Sequence, residues 1–309
     1  MFDYDVVIIG GGPAGLTAGL YLSRANRRTI LLDMKEFGGY LKDVDCIENY
    51  PGFADGVAGA QLASEMINQA TKYGLKCEQA EVAGIELFSS SRWVTCADGK
   101  GYTSAILIIA GGCRRKKLGV PGEELLQGKG VFQCALCDGS QFIDQVVTVC
   151  GGGDAGITEA IYLTKLVSKV ILVEALPELT ATPVLKERAQ NNPKLEIHCG
   201  IKVERIAGEN KVEAIEFTNT GTGKAGTIQT DGVLVHIGLE PNTGYLEDIL
   251  PLDDQGRIIV NSSMETEKPY VLAAGDIRSG SPGQIVTAAG DGATAAITAQ
   301  KLLQEIDFS

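Results

Sequence analysis

The stretch Asp5-Val6-Val7-Ile8-Ile9-Gly10-Gly11-Gly12-Pro13-Ala14-Gly15 decides the fold. Five residues of buried-strand character run into G-x-G-x-x-G, and helical spacing follows to about Ala25. A second strand is expected over residues 28–32, ending at Asp33, 23 residues after Gly10. Glycines at these offsets let backbone approach a pyrophosphate, and the helix N-terminus favours its charge. An acid closing the second strand can hold a ribose hydroxyl pair. A lone glycine motif is weak; the order strand, turn, helix, strand, acid makes this one a dinucleotide-binding reading.

The pattern recurs. Residues 145–150 read as a strand, Gly151-Gly152-Gly153-Asp154-Ala155-Gly156 repeats the motif, and a helix is expected to about Val167. A strand over 169–173 then closes on Glu174, again 23 residues after the first glycine. Near the end, a buried strand over 270–274 leads to Gly275-Asp276 and a helix from about 285 to 303. An acid between strand and helix can bind a ribityl or phosphate-linked hydroxyl, so this last stretch is expected to rejoin the first domain. The fold class is therefore α/β, with two Rossmann-like dinucleotide-binding domains of three-layer ββα form, the second inserted into the first.

Just before the second repeat stands Cys134-Ala135-Leu136-Cys137-Asp138-Gly139. Two cysteines at this spacing read as a redox-active pair, half of a zinc site, or a pair of buried thiols. The remaining six cysteines, Cys46, Cys77, Cys96, Cys113, Cys150 and Cys199, are scattered singly, and the only histidines are His198 and His236. No metal site is expected. Asp138 favours the redox reading, because a thiolate leaving a disulfide needs a proton that a neighbouring carboxyl can supply.

Composition sets outer bounds. With 309 residues, 44% hydrophobic, 39 glycines and 6% aromatic, the chain suits one large or two ordinary α/β domains. The net charge of −12 argues against nucleic acid as a partner. No apolar run reaches the ~18 residues of a membrane helix. Eight cysteines behind an acidic N-terminal stretch that runs straight into a strand imply a reducing compartment, hence the cytoplasm.

Taken in order, these motifs resemble the low-molecular-weight thioredoxin reductase family over nearly the whole chain. The resemblance is carried by 10–15, Glu48-Asn49-Tyr50-Pro51-Gly52, Pro121-Gly122-Glu123, the cysteine stretch, 151–156, Gly238-Leu239-Glu240-Pro241-Asn242-Thr243 and Ala274-Gly275-Asp276 with Gln284. It implies a homodimeric flavoprotein, with FAD in a domain formed by residues 1–115 and 243–309. The inserted domain, 116–242, would be of pyridine-nucleotide type and carry the redox-active cysteines. FAD would be held by Gly10, Gly12, Pro13, Ala14, Gly15, Asp33, Gly39, Asn49, Gly275, Asp276, Gln284 and Ile285. Catalysis would fall to Cys134, which attacks the disulfide of a thioredoxin-like protein, Cys137, which faces the flavin, and Asp138 as acid and base. The small turn after Gly130 is expected to present Cys134 outward. The C-terminal Phe308 reads as a loose end or as a ring that stacks on a flavin.

A second nucleotide site is expected at Gly151, Gly153, Gly156 and Glu174, and here the chain departs from the family. Where the family carries a His-Arg-Arg run for the 2′-phosphate of NADPH, this chain reads Glu174-Ala175-Leu176, with no Lys or Arg until Lys186. A dianionic phosphate beside Glu174 would be repelled, so NADPH is not the expected donor. Glu174 suits NADH. Other departures, namely Gly156, Ile157-Thr158 before Glu159, Tyr40 and Gly283, suggest a site under weak constraint and incline the reading to a ferredoxin-like carrier, with Arg114-Arg115-Lys116-Lys117 as a docking run. The expected activity is that of a flavin-dependent disulfide reductase. The alternatives are a redox-sensing flavoprotein and a flavin-dependent ferredoxin–pyridine nucleotide reductase.

Overall fold

The structure, a computed structural model, describes residues 2–44, 46–246 and 248–307. Phe308 lies outside the described residues. The chain forms two compact units, Met1–Arg114 with Glu240–Ser309, and Arg115–Leu239.

The first unit begins with β1 (Tyr4–Ile9), α1 (Pro13–Arg24), β2 (Thr29–Asp33), α2 (Gly59–Thr71) and β3 (Lys76–Gln79). It continues with β4 (Val82–Leu87), β5 (Arg92–Cys96) and β6 (Gly101–Ile109). Strand β7 (Cys113–Arg115) carries the chain across. The second unit contains β8 (Val131–Phe132), α3 (Ala135–Asp138), β9 (Val146–Cys150), α4 (Asp154–Leu163), β10 (Lys169–Glu174) and α5 (Pro183–Gln190). After β11 (Leu195–Cys199) come β12 (Ile201–Ala207), β13 (Ala214–Asn219), β14 (Ala225–Gln229) and β15 (Gly232–Val235). Strand β16 (Leu239–Pro241) pairs with β7 and returns the chain to β17 (Val271–Ala273) and α6 (Ile285–Asp307).

In the first unit the sheet runs β3-β2-β1-β6, with all of these pairings parallel. Along its free edge, β6 takes β17 in parallel over its C-terminal half and β5, antiparallel, over its N-terminal half; β4 extends that antiparallel side. The apolar run of β1 follows from cover on both faces. Val6 and Ile8 join a cluster that includes residues of α1 and α6, whereas Val7 and Ile9 join one that includes Ile85, Val94 and Tyr102 of β4–β6. Each fully buried aliphatic side chain of this kind contributes roughly 1.5–3 kcal/mol. Helices α1 and α6 meet closely: a Cβ on Gly292 would lie 2.1 Å from the Ala14 carbonyl oxygen.

The second unit repeats the plan with a parallel sheet β11-β10-β9-β15-β8 and an antiparallel sheet β12-β13-β14. Alternation along β9 again divides the core. Val147 and Val149 pack with α4 residues, and Cys150 packs with Val203, Ile206 and Ile215 of β12 and β13. Strand β3, Lys-Cys-Glu-Gln, carries no apolar alternation; it is an edge strand with no residue fully buried.

Candidate functional site

The glycine turns stand at the C-terminal ends of β1 in the first unit and β9 in the second. A Cβ at Gly10 would lie 2.2 Å from the Ala110 carbonyl oxygen, and one at Gly15 would lie 1.8 Å from the Gly10 carbonyl oxygen. The first approach lets the turn close beside β6; the second lets α1 pack against the turn. Gly12, by contrast, caps α1 with open space where a side chain would project, leaving its backbone free for a bound phosphate. Pro13 fills the first helical position, where its missing N–H costs nothing. Asp33 is fixed beside the turn: Oδ2 accepts from Gly11 N at 2.6 Å and Oδ1 from Lys35 N at 2.8 Å. Lone pairs remain for ribose hydroxyls.

The other residues named from sequence in this unit fall into three groups. Gly39 lies against Gly12, with 3.2 Å between its projected Cβ and Gly12 Cα. Asn49 and Gln284 meet each other, Asn49 Nδ2 donating to Gln284 Oε1 at 2.9 Å, and Ile285, the first residue of α6, packs on a small cluster with Leu41 and Leu62. Gly275 turns the chain after β17 with φ +80°, and its projected Cβ lies 2.9 Å from Ala14 Cβ. Asp276 follows, its Oδ1 accepting from Ser281 Oγ at 3.2 Å, and burial pushes its carboxyl above the ordinary range.

This turn is held by a pair that the sequence reading missed. Asp291 of α6 accepts Gly275 N at 3.1 Å and Arg278 Nε at 2.7 Å on Oδ2, and Arg278 Nη2 at 2.8 Å on Oδ1. Both side chains are largely buried. An acid between Gly290 and Gly292 in an alanine-rich apolar helix was the available signal, since a charge on such a face needs a partner.

The second unit reproduces the turn closely. Projected Cβ atoms at Gly151 and Gly156 lie 2.0 Å from the His236 carbonyl oxygen and 2.1 Å from the Gly151 carbonyl oxygen. Gly156, read from sequence as a sign of weak constraint, is therefore required by the approach of α4 to the turn. Gly153 caps α4. Glu174 matches Asp33, with Oε2 accepting Gly152 N at 2.6 Å and Oε1 accepting Leu176 N at 2.9 Å. A cavity of about 750 Å³ opens here, lined by the turn, by Glu174-Ala175-Leu176, by 118–121, by 201–204 and by 236–239. Its charged lining is Asp154, Glu174, Glu204 and Lys202, and Lys202 Nζ lies 3.2 Å from Glu204 Oε1. Sequence reading found no cation near Glu174; β12 brings Lys202 into the same cavity, already paired with an acid.

Cys134 and Cys137 are joined in a disulfide. Cys134 is the N-cap of α3, and its Sγ accepts from Cys137 N at 3.0 Å. Ala135 N donates to Glu159 Oε2 at 2.5 Å, so a carboxylate on α4 fixes the first turn of α3. Asp138 is half-buried, with Oδ1 accepting from Gln141 Nε2 at 3.3 Å. The expectation that the turn presents Cys134 outward is corrected: Cys134 is 6% exposed, and Cys137 is the exposed partner. The cap explains this, because it folds the Cys134 sulfur onto the start of the helix.

The basic run is not a free patch either. Arg114 pairs with Glu240 at 2.9 Å, Lys117 with Glu124 at 2.8 Å, and the Arg115 guanidinium donates to the Gln133 carbonyl. Cys113 and Cys150 are buried, and burial pushes their thiols up to about 11 and about 12.

The sequence profile described as pyridine nucleotide-disulphide oxidoreductase matches residues 4–292. The chain belongs to that family. Within it, the chain is of the low-molecular-weight thioredoxin reductase type: it is 39% identical to the thioredoxin reductase of Bacillus subtilis over 305 residues, 98% of this chain and 96% of that one. The crystal structure of Lactococcus lactis thioredoxin reductase superposes with a TM-score of 0.95 at 34% identity, covering 98% of this chain and all of the other. That of T. acidophilum thioredoxin reductase gives 0.93 at 33%, covering 99% and 100%. As a member of this oxidoreductase family the chain takes FAD, and the first unit fits it: an open backbone at Gly12 and a carboxylate at Asp33 with lone pairs to spare. Among the described residues, no helix is long and apolar enough to cross a membrane.

Proposed function

We propose that this flavoprotein passes electrons to the disulfide of a thioredoxin-like protein, and that its donor is a pyridine dinucleotide without a 2′-phosphate. The disulfide at the start of α3 carries the first part. FAD is proposed to be held by Gly10, Gly12, Pro13, Ala14, Gly15, Asp33, Gly39, Asn49, Gly275, Asp276, Gln284 and Ile285. When bound it supplies the two-electron relay between donor and the Cys134–Cys137 disulfide. Opening that disulfide with two electrons and a proton leaves one thiol and one thiolate. The Cys137 N–H stabilises charge on Cys134 Sγ. Cys134, 6% exposed while the ring is closed, is taken to come free when the ring opens; it then attacks one sulfur of the acceptor disulfide, forming a mixed disulfide and releasing the other acceptor sulfur as a thiolate. Cys137 attacks Cys134 Sγ, which frees the second acceptor thiolate and restores the ring. Asp138 holds the proton that the leaving sulfur takes and recovers it from Cys137.

The donor class rests on the second unit's cavity. Glu174 is presented as Asp33 is, ready to accept from a ribose diol, and the cavity's charged lining holds three acids and one lysine, the lysine paired with Glu204. A 2′-phosphate beside Glu174 would cost on the order of 1–4 kcal/mol. NADH is thus favoured over NADPH. The paired state of Arg114 and Lys117 withdraws support from a docking patch for ferredoxin. Six free cysteines among the described residues suit the cytoplasm, and a homodimer is expected from the family.

Anaerobic mixing of the holoenzyme with NADH, NADPH and reduced ferredoxin, each alone, tests the donor. Bleaching of the flavin by NADH at least tenfold faster than by equal NADPH is the expected result. Equal or faster bleaching by NADPH, or bleaching by ferredoxin alone, overturns it.

A further inference from the structure

We propose that His236 is a binding residue for the nicotinamide-nucleotide half of the dinucleotide, its imidazole N–H donating to a ribose or diphosphate oxygen. This rests on reading the second unit's cavity as a dinucleotide site.

Topology supplies the direction. Strand β9 lies between β10 and β15, pairing in parallel with both. Glu174 ends β10, and His236 follows the last residue of β15. A dinucleotide whose adenosine ribose sits on Glu174 and whose diphosphate crosses the turn at Gly151–Gly153 sends its second nucleoside to the β15 side. His236 stands there, its carbonyl against Gly151 and its residue in the cavity wall.

The comparison with the first unit isolates the side chain. Ala110 makes the same carbonyl approach to Gly10, so the backbone role at this position needs no imidazole. The ring must serve something else, or nothing. Its Nδ1 is sealed from solvent and has no hydrogen-bond partner, although the residue as a whole is only half-buried. A proton on Nδ1 would bury an unpaired donor, so the favoured tautomer carries it on Nε2. Burial, with Arg115 nearby, brings the imidazole down to about 4, which keeps the ring neutral at physiological pH. A neutral ring with its donor on the unsealed nitrogen matches the acceptor oxygens of a ribose and diphosphate without adding a charge.

Calorimetric titration of the FAD-loaded protein with NAD⁺ and with AMP tests this, because AMP carries the adenosine ribose but not the second nucleoside. His236→Ala is expected to weaken NAD⁺ binding roughly five- to tenfold and to leave AMP binding within twofold. His236→Asn, which keeps a donor, is expected to recover part of the loss, and Glu174→Ala to weaken both ligands. Unchanged NAD⁺ affinity in His236→Ala overturns the proposal. Equal weakening of NAD⁺ and AMP also overturns it, since that marks a role in shaping the turn. If the unaltered protein binds neither ligand, the dinucleotide reading of the cavity fails, and the inference with it.

Discussion

Replacing Asp291 with Asn should loosen the turn that carries Asp276 and lower both stability and flavin retention. The carboxylate accepts three hydrogen bonds, two from Arg278 at 2.7 and 2.8 Å and one from Gly275 N at 3.1 Å. Side-chain exposure is 15% for Arg278 and 8% for Asp291, so solvent cannot replace the lost partner. Asparagine keeps the shape but offers one acceptor oxygen and turns an NH₂ group toward a guanidinium donor. Removing one member of a buried ion pair costs about 3–5 kcal/mol. For a unit of 150–250 residues each kcal/mol is worth ~2–4 °C, so the expected loss in Tm is roughly 6–20 °C. The assay is thermal unfolding by circular dichroism with and without excess FAD, together with the flavin-to-protein absorbance ratio of the purified variant. An Arg278→Gln variant and the double variant complete a cycle, and a coupling well above 1 kcal/mol is expected. A Tm within about 2 °C of the parent, with full flavin content, would refute the claim that this pair holds the cofactor turn.

Three further outcomes follow from the geometry. Gly15→Ala places a Cβ 1.8 Å from the Gly10 carbonyl oxygen and should yield protein depleted of FAD, as its absorbance spectrum will show. Gly156→Ala makes the matching clash in the second unit, 2.1 Å from the Gly151 carbonyl oxygen; it should keep its flavin yet lose reduction by NADH, and loss of flavin instead would contradict the division of roles. For Asp276, burial raises the carboxyl above its ordinary value. Its contribution to stability is therefore full below that ordinary value and falls as pH rises through the raised one. Apo Asp276→Asn should thus be more stable than the parent at neutral pH, should lose that advantage in acid, and should bind FAD more weakly, which Tm against pH and FAD titration will read.

The glycine turns and their acids were legible from sequence because each is a local arrangement: strand, turn, helix and carboxylate follow one another directly along the chain, the acid 23 residues after the first glycine, and the periodicity of each element is unbroken. The cysteine pair was legible for the same reason. What stayed hidden is made by distant segments. Asp291 reaches Gly275 and Arg278 across a turn, Glu159 reaches Ala135 across 24 residues, and Lys202 and His236 enter the second unit's cavity from strands far along the chain. The burial of Cys134 was not readable either, because spacing does not say which sulfur folds onto the helix start. The need for Gly156 was not readable, because it lies in the distance between α4 and the turn, which a sequence does not display.

The most direct test is turnover of a thioredoxin disulfide by the purified holoenzyme with NADH as the sole electron source, compared with Cys134→Ser and Cys137→Ser. Steady turnover by the parent and none by either variant, both still yellow, is predicted; in Cys137→Ser the acceptor should remain trapped on Cys134 as a mixed disulfide visible by mass. Turnover that survives the loss of Cys134, or a parent protein that binds flavin but reduces no disulfide with any donor, would contradict the account.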